Sequence, residues 1–159
     1  RSRFRVELDS AGYSQPNTLG LVACRAAYEG GDAWLDGLRE HIAAAREHVV
    51  DRLAAIPGVE AAPCEGTYLL WLDCTGLLAA AGLRPDELDD FVLEEAGLWL
   101  DDGAIFGAGG RGFTRINVAC PRATLDEALD RLEAAVAALL SRQEHRAAAD
   151  RRPPAVPAA

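Results

Sequence analysis

A permanently charged side chain lies in the middle of a segment that has the pattern of a β-strand. In FTRINVAC the residues alternate, so that Ile116 and Val118 face one side of the strand while Phe113 and Arg115 face the other. A guanidinium cannot lose its charge, and its planar fork matches a carboxylate through two parallel hydrogen bonds. The functional interpretation is that Arg115 binds the carboxylate of a ligand, since a rigid strand is a suitable support for such a clamp.

Two structural interpretations compete with a ligand role for Arg115, and the spacing alone favours them. The residue lies at the edge of a sheet with its stem packed and its head in water, or it pairs with an internal carboxylate such as Asp73 or Asp101. The preceding FGAGGRG lacks the strand–GxGxxG–helix order of a nucleotide-binding loop. It predicts a flexible connection that brings Phe106 and Arg115 towards one region.

Composition excludes several classes of partner. The 159 residues suffice for one domain with a core, and a hydrophobic content of 50% suits a globular protein. The net charge of −9 disfavours binding to nucleic acid or to an anionic membrane surface. No apolar run reaches the ~20 residues of a membrane span, and the opening RSRFRVELDS lacks the apolar region of a signal peptide. We therefore expect a cytoplasmic protein with no nucleic-acid and no membrane partner.

The cysteine and lysine counts limit the chemistry that the side chains of this sequence can perform. Cys24, Cys64, Cys74 and Cys120 are far apart and form no CxxC pair, which favours reduced, mostly buried thiols and no metal site. Lysine and arginine together number 16, and all of them are arginine. A chain without lysine cannot form a Schiff base through a lysine of its own.

Residues 1–31 have the pattern of two helices. Phe4 and Leu8 share a face of the first helix and Gly12 sits at its C-terminal cap, while Gly30 and Gly31 stop the second. The first helix would begin before residue 1, and the sequence contains no methionine. We therefore expect a fragment, in which residues 1–31 are remnant helices of a larger domain.

A long amphipathic helix follows. Asp32 is a good N-cap residue, and Pro57 with Gly58 ends the pattern. The apolar positions recur every three or four residues and are Leu35, Leu38, Ile42, Ala45, Val49, Leu53 and Ile56. His41 and His48 lie on this helix with no partner in view, which favours solvated surface histidines. A helix of this length suits a spine between two domains.

Strands and shorter helices make up the rest of the pattern. TYLLWLDC is apolar on both faces, which favours a central strand covered on both sides. Pro85 opens a helix that Gly97 closes. Its inward residues are Leu88, Phe91, Val92 and Ala96. Thr124 and Glu127 form a capping box at the start of the last helix.

The order of these elements indicates the fold class. Clustered strands with helices between them are typical of an α+β fold, here a small sheet with helices on one side. We assign this domain to residues 32–142, including the long helix. From about Gln143 no apolar period remains, so we expect residues 143–159 to form a disordered tail.

Four segments together carry a resemblance to a known family. GFTRINVACPRATLDEALDRL closely resembles the C-terminal motif of pyridoxal-phosphate enzymes of the class I/II aminotransferase fold. Within that superfamily it is most similar to the cystathionine β-lyase, or cysteine-S-conjugate β-lyase, group. SQPNTLGLVACRAAYEGGDAWLDGL, EGTYLLWLD and EEAGLWLDDGAIFG match in the family's order and spacing. The resemblance covers nearly all of residues 3–140 and implies the small C-terminal domain of the fold type I architecture, preceded by a long interdomain helix.

The resemblance also implies roles for four residues. Arg115 matches the arginine that binds the α-carboxylate of the amino-acid substrate. Asn17, in PNTLG, would come near the active site of the partner subunit in a homodimer, and Tyr68 and Phe106 would approach the substrate side of the pocket. Other interpretations stay open: Tyr68 and Phe106 as ordinary core aromatics, and Asn17 as a helix N-cap.

Two of the three tryptophans in the matching segments have a plain interpretation. Trp71 and Trp99 are large apolar residues in predicted strands, and we interpret both as packing residues.

The activity that the resemblance implies is pyridoxal-phosphate-dependent C–S β-lysis. Such an enzyme converts cystathionine or a cysteine conjugate to a thiol, pyruvate and ammonia, and this chain would supply the carboxylate clamp. The family's cofactor lysine lies upstream of the matching segment, so no catalytic or cofactor-binding residue is assigned here. We expect the chain alone to be inactive and only marginally stable. A fragment of an aminotransferase and a non-catalytic binding or dimerisation module remain as alternatives.

Overall fold

The structure is a computed structural model that describes residues 1–13 and 16–150. It divides into two compact units, Arg1–Glu40 and His41–Ala159, which are described separately below. The division falls inside the long helix. The boundary between residues 31 and 32 stays a prediction. Within the described ranges, no helix combines the length and the apolar character that a membrane crossing requires.

The first unit is made of helices with apolar but exposed side chains. Helix α1 spans Ser2–Ser10, α2 spans Thr18–Gly30, and α3 starts at Asp32. No residue of α1 or α2 is buried. Trp34, near the start of α3, is 71% exposed. These helices therefore have no core of their own.

Helix α3, Asp32–Leu53, buries only part of its predicted apolar stripe. Ala45, Val49 and Leu53 are buried, whereas Leu35 is 47% exposed. Asp32 is the first helical residue rather than the cap, because the N–H of Leu35 already donates to the carbonyl of Gly31 at 2.9 Å.

The second unit contains a four-stranded antiparallel sheet with the order β1-β2-β4-β3. Its strands are β1 (Glu60–Ala61), β2 (Leu69–Asp73), β3 (Asp101–Asp102) and β4 (Phe113–Asn117). Between β2 and β4 the register pairs Leu70 with Ile116 and Trp71 with Arg115. Helix α4 (Thr75–Ala81) follows β2.

Helices cover one face of this sheet, which confirms the predicted α+β class. Leu70, Leu72 and Ile116 on the inner face are at most 4% exposed and join one core with residues of α3, α4 and the later helices. On the other face Trp71 and Arg115 are only half-buried. The prediction that β2 is covered on both sides is therefore wrong within this chain, although β2 is an inner strand.

The segment after α4 is helical but irregular. A 3₁₀ turn (Pro85–Glu87), helix α5 (Leu88–Asp90) and a π turn (Phe91–Glu95) follow one another without a break. All four residues predicted to point inwards are buried: Leu88, Phe91, Val92 and Ala96. Gly97 has φ +64°, a left-handed conformation that glycine adopts without strain.

The last helix, α6, spans Arg122–Asp150 and differs from its prediction at both ends. The capping box at Thr124 is wrong, since that N–H already donates to the carbonyl of Pro121 at 3.0 Å and Glu127 pairs with Arg131 instead. The helix also continues past Gln143 as far as Asp150. Alanine, arginine and glutamate all favour the helix intrinsically, so it persists where its apolar period stops. Residues 151–159 of the predicted tail lie outside the described range.

A charged seam joins α3 to α6 and was not predicted. It consists of His48 and Arg52 from α3 and of Asp126, Asp130 and Glu133 from α6. The ring of His48 hydrogen bonds to Asp126, so the interpretation of His48 as a solvated surface residue is wrong. His41 is exposed, and its Nε2 lies 3.2 Å from the carbonyl oxygen of Cys120.

Candidate functional site

Arg115 lies on an inner strand of the sheet. Strand β4 pairs with β2 on one side and with β3 on the other, which places Arg115 between Trp71 and Asp101. The interpretation of Arg115 as a residue of a sheet edge is therefore wrong. Its neighbours on both sides are fixed by backbone pairing.

An ion pair with Asp101 occupies one edge of the Arg115 guanidinium. Nε donates to Oδ2 of Asp101 at 2.9 Å and Nη2 donates to the same oxygen at 2.6 Å. The side chains of Arg115 and Asp101 are 25% and 48% exposed, so water reaches the pair. The structure thus supports the internal-carboxylate interpretation with Asp101. Asp73 is engaged elsewhere, since its Oδ1 accepts from the N–H and the hydroxyl of Thr75 at 2.9 and 2.6 Å.

An aromatic platform supports the guanidinium from one face. The Arg115 carbon Cζ lies 4.5 Å from the ring centroid of Phe106, within the range of a cation–π contact. Trp71 meets Phe106 edge-on at 5.2 Å between centroids and Phe113 at 6.2 Å. Phe106 and Arg115 therefore come together as the sequence predicts, and Trp71 is a packing residue. Phe106 itself is 48% exposed, which excludes an ordinary core role.

The glycine-rich loop that contains Phe106 has a compact conformation. It forms two 3₁₀ turns, Gly103–Phe106 and Ala108–Gly110. A Cβ on Gly103 would lie 2.2 Å from the carbonyl oxygen of Gly110, so only glycine allows this approach of the two turns. Asp102 caps the first turn by accepting from the N–H of Ala104 at 2.9 Å.

An open cleft of about 540 Å³ lies beside the ion pair. Its lining includes Asp101, Arg115, Trp99, Cys120 and Thr124. Trp99 is 93% exposed, so its interpretation as a packing residue is wrong within this chain. Burial raises the pKa of the Cys120 thiol, which keeps this sulfur protonated and a poor nucleophile at neutral pH.

The other two candidate site residues, Tyr68 and Asn17, belong to different units of the structure. Tyr68 is 46% exposed just before β2, and its carbonyl accepts from the N–H of Val118 at 2.9 Å. It follows Thr67, whose φ of +66° is unusual for a β-branched residue. Asn17 belongs to the first unit and caps α2, with its side chain accepting from the N–H of Gly20 at 2.6 Å.

The chain has clear relatives among known proteins, although no protein-family model matches it. Cystathionine beta-lyase PatB of Bacillus subtilis is 34% identical over 137 residues, which are 86% of this chain and 34% of PatB. Aspartate aminotransferase of Rhizobium meliloti is 32% identical over 134 residues, 80% of this chain and 32% of that protein.

A solved structure carries the same fold. The structure of cystalysin from Treponema denticola, which contains a pyridoxal 5'-phosphate cofactor, matches with a TM-score of 0.74 and 35% identity. The match covers 84% of this chain and 33% of cystalysin. This chain therefore has part of the fold type I architecture of the aminotransferases and C–S lyases. It is a homologue of the cystathionine β-lyases and spans about a third of the length of the curated relatives it matches.

The residues of this chain do not by themselves form a pyridoxal-phosphate site. The cofactor aldehyde is held by the amine of a lysine in such enzymes, and the 159 residues contain none. In the described ranges, no group of three or more His, Cys, Asp or Glu residues is arranged to hold a metal ion. The candidate binding group of this chain is therefore the Arg115 guanidinium, which is chemically suited to a carboxylate.

Proposed function

We propose that this chain is the substrate-carboxylate-binding part of a pyridoxal-phosphate-dependent C–S β-lyase. The complete enzyme would convert cystathionine or a cysteine conjugate to a thiol, pyruvate and ammonia. The observation that carries the proposal is the Arg115 side chain, which is held on an inner strand with its guanidinium against an aromatic ring, yet is 25% exposed beside a cleft. The relationship to cystathionine β-lyases supports it.

Arg115 would position the substrate rather than transform it. Two parallel hydrogen bonds to the α-carboxylate fix the rotation of the amino acid about its Cα, so that one bond at Cα is presented to the reacting group. Phe106, whose ring lies against the guanidinium, would form the apolar floor of this site. Tyr68 would contact the substrate from the start of β2.

Removing the clamp tests this role in the enzyme that contains the chain together with its cofactor lysine. For Arg115→Ala we expect KM for the amino-acid substrate to rise roughly 30-fold or more, because a lost charge pair costs about 2–5 kcal/mol. The absorbance band of the bound cofactor should not change. Arg111→Ala is the matched control, since Arg111 is exposed and lies in the turn four residues before Arg115. Loss of the cofactor band in Arg115→Ala alone would show a structural role instead.

The chain alone would be catalytically inactive. With pyridoxal phosphate added, we expect neither an internal-aldimine absorbance band nor pyruvate release from cystathionine, because no lysine is present. A lysine-type band from the pure chain would contradict the proposal.

Aminotransfer is the second candidate, and the aspartate aminotransferases among the relatives favour it. A carboxylate clamp serves both reactions, so Arg115 does not separate them. The complete enzyme should release pyruvate from cystathionine and should transfer no amino group to 2-oxoglutarate. The reverse result would assign it as an aminotransferase.

We also place the complete enzyme in the cytoplasm as a homodimer acting on small amino acids. The exposed apolar residues of the first unit support an association surface, with Leu19 at 80% and Tyr28 at 87% exposure. The segment that contains Asn17 would lie near the active site of the partner subunit. Sedimentation of the complete enzyme should give a dimer, and a monomer at micromolar concentration would remove this part of the proposal.

A further inference from the structure

We propose that Asp101 is a positioning residue for Arg115. It holds the Nε–Nη2 edge of the guanidinium, so that the ligand's carboxylate binds the Nη1–Nη2 edge. This inference rests on the proposed carboxylate-binding function and names a residue to which neither the sequence pattern nor the family resemblance assigns that role.

The backbone of Asp101 is fixed from three directions. It pairs directly with Arg115 in the register of β3 and β4. The hydroxyl of Thr114, a residue only 4% exposed, donates to the carbonyl oxygen of Asp101 at 3.2 Å. The next residue, Asp102, is held by its cap to Ala104. The Asp101 carboxylate therefore starts from a rigid support rather than from a mobile loop.

The geometry of the pair leaves the second edge of the guanidinium available. An arginine head group has five N–H donors, and Asp101 takes only one from Nε and one from Nη2. Among the described residues, Nη1 of Arg115 has no hydrogen-bond acceptor. A carboxylate can take two parallel bonds from Nη1 and Nη2 while Asp101 keeps its own two.

Asp101 and Phe106 restrain different degrees of freedom of the same group. The contact with the Phe106 ring, at 4.5 Å from its centroid, fixes the plane of the guanidinium. Two hydrogen bonds to one oxygen of Asp101 fix the rotation within that plane. Trp71 in turn supports Phe106 edge-on. The head group is thus pre-organised before a ligand arrives, which lowers the entropy lost on binding.

In the alternative role, Asp101 would occupy the carboxylate-binding edge of Arg115 itself, and the ligand would have to displace it. Such an occupant would sit where a substrate carboxylate is expected, with both oxygens on the Nη1–Nη2 edge. Asp101 instead uses a single oxygen on the Nε–Nη2 edge. The two roles make opposite predictions for Nε, since a displaced Asp101 would release it and a positioning Asp101 would not.

Side-chain NMR of the full chain with ¹⁵N-labelled arginine separates the two roles. The probe is S-methyl-L-cysteine, and 2-(methylthio)ethylamine, which lacks the carboxylate, is its control. Arg115→Gln assigns the signals. We expect the probe to shift the Arg115 Nη resonances and to leave Nε nearly unmoved, while the amine shifts neither. A shift of Nε as large as that of Nη would overturn the inference.

Substitutions at Asp101 provide the second measurement. We expect Asp101→Ala to bind S-methyl-L-cysteine roughly tenfold more weakly, a change of about 1.4 kcal/mol. Asp101→Asn keeps an acceptor and should fall between this variant and the natural chain. Asp102→Asn removes the same charge from the same strand and keeps a capping oxygen, so binding should be unchanged or slightly tighter. Tighter binding by Asp101→Ala would assign Asp101 as a competitor.

The outcomes separate this inference from the proposed function. If the natural chain shows no carboxylate-dependent shift at Arg115, the clamp itself is absent and both proposals fail. If the natural chain responds but Asp101→Ala binds equally well, only the positioning role fails. Should Asp101→Ala not fold, the Nε signal of the natural chain and the Asp101→Asn affinity decide the matter.

Discussion

Helix α2 in the first unit and strand β2 in the second are both rich in apolar residues, but the apolar side chains of α2 are exposed and two leucines of β2 are fully buried. Leu19 and Leu21 of α2 are 80% and 57% exposed, and no residue of that helix is buried. Leu70 and Leu72 of β2 are 1% and 0% exposed, inside a core that α3, α4 and α6 complete. Apolar periodicity is present in both regions, but only the second contains the surfaces that cover it.

The difference assigns separate physical roles to the two regions. The second unit holds Arg115 in place because its sheet is anchored in a core of buried aliphatic side chains. The first unit gains nothing comparable, since isolated helices of 9 and 13 residues are marginal in water. Its apolar side chains therefore fit the association surface that we propose above.

The largest expected effect comes from a matched pair of leucine truncations. Leu72→Ala should lower the free energy of unfolding by about 2–5 kcal/mol, because it removes a buried side chain and leaves a cavity in the sheet layer. Leu19→Ala should change it by less than about 0.5 kcal/mol, as at other exposed positions. Urea unfolding followed by far-UV circular dichroism measures both.

The two leucine variants test whether α2 is exposed and β2 is buried in solution. A loss from Leu19→Ala of the same size as from Leu72→Ala would show that α2 is packed in solution. Hydrogen exchange supplies an independent check, because amides of β2 and β4 should exchange far more slowly than amides of α2.

A second comparison uses the two cysteines Cys24 and Cys74. Cys24, in α2, is exposed and Cys74 is buried beside α4. Burial, with a smaller contribution from the charge of Asp73, raises the pKa of Cys74 from 9.0 to about 12. In the unfolded chain this thiol ionises near 9, so between pH 9 and 12 only the folded state keeps the proton. This contribution to stability is complete below pH 9 and is lost as the pH rises.

The expected slope is a decrease of about 1.4 kcal/mol in the free energy of unfolding for each pH unit above 9. Cys74→Ala should remove this part of the alkaline slope, whatever it does to the stability at pH 8. Cys24→Ala should leave the slope unchanged. Urea titrations between pH 8 and 11 test both variants, and an unaltered slope in Cys74→Ala would show that the thiol is hydrated.

The sequence pattern predicts most elements of the second unit, because their apolar residues recur at regular spacings and because glycine or proline marks their ends. The inward residues of the Pro85–Glu95 segment and the alternation around Arg115 follow from such signals. The partner of Arg115 does not follow, because β3 has only two residues and no period of its own. Choosing between Asp73 and Asp101 requires the register of β4 with both neighbours, which is a tertiary property.

Two further features could not be predicted, because they too depend on tertiary contacts. A hydrophobic period shows that α2 has an apolar face but cannot show what covers that face. The charged seam depends on α3 and α6 lying side by side, so neither helix alone reveals that His48 and Asp126 meet. For Arg115, the sequence thus predicts its strand and its proximity to Phe106, and the structure adds the ion pair.

The smallest expected effect on stability comes from an arginine of each unit, Arg25 and Arg52. Arg25 pairs with Glu29 at 2.8 Å within α2, and both side chains are more than 60% exposed. Arg52 is 26% exposed and donates to Asp130 at 2.7 Å and to Glu133 at 3.1 Å across the charged seam. Hydrogen bonds to Asp130 and then to Glu133 raise the pKa of Arg52 above its ordinary value, so it stays charged at any pH used here.

Neutralising each arginine should therefore give unequal results. Arg52→Gln should lower the urea midpoint by a small amount that shrinks as sodium chloride is added, since it leaves several carboxylates of α6 facing α3 without a cation. Arg25→Gln should leave the midpoint unchanged, as is typical of exposed i,i+4 pairs. A salt-independent loss in Arg52→Gln would indicate that its aliphatic stem, and not its charge, joins the two helices. Equal losses in the two variants would remove the distinction between the seam and a surface ion pair.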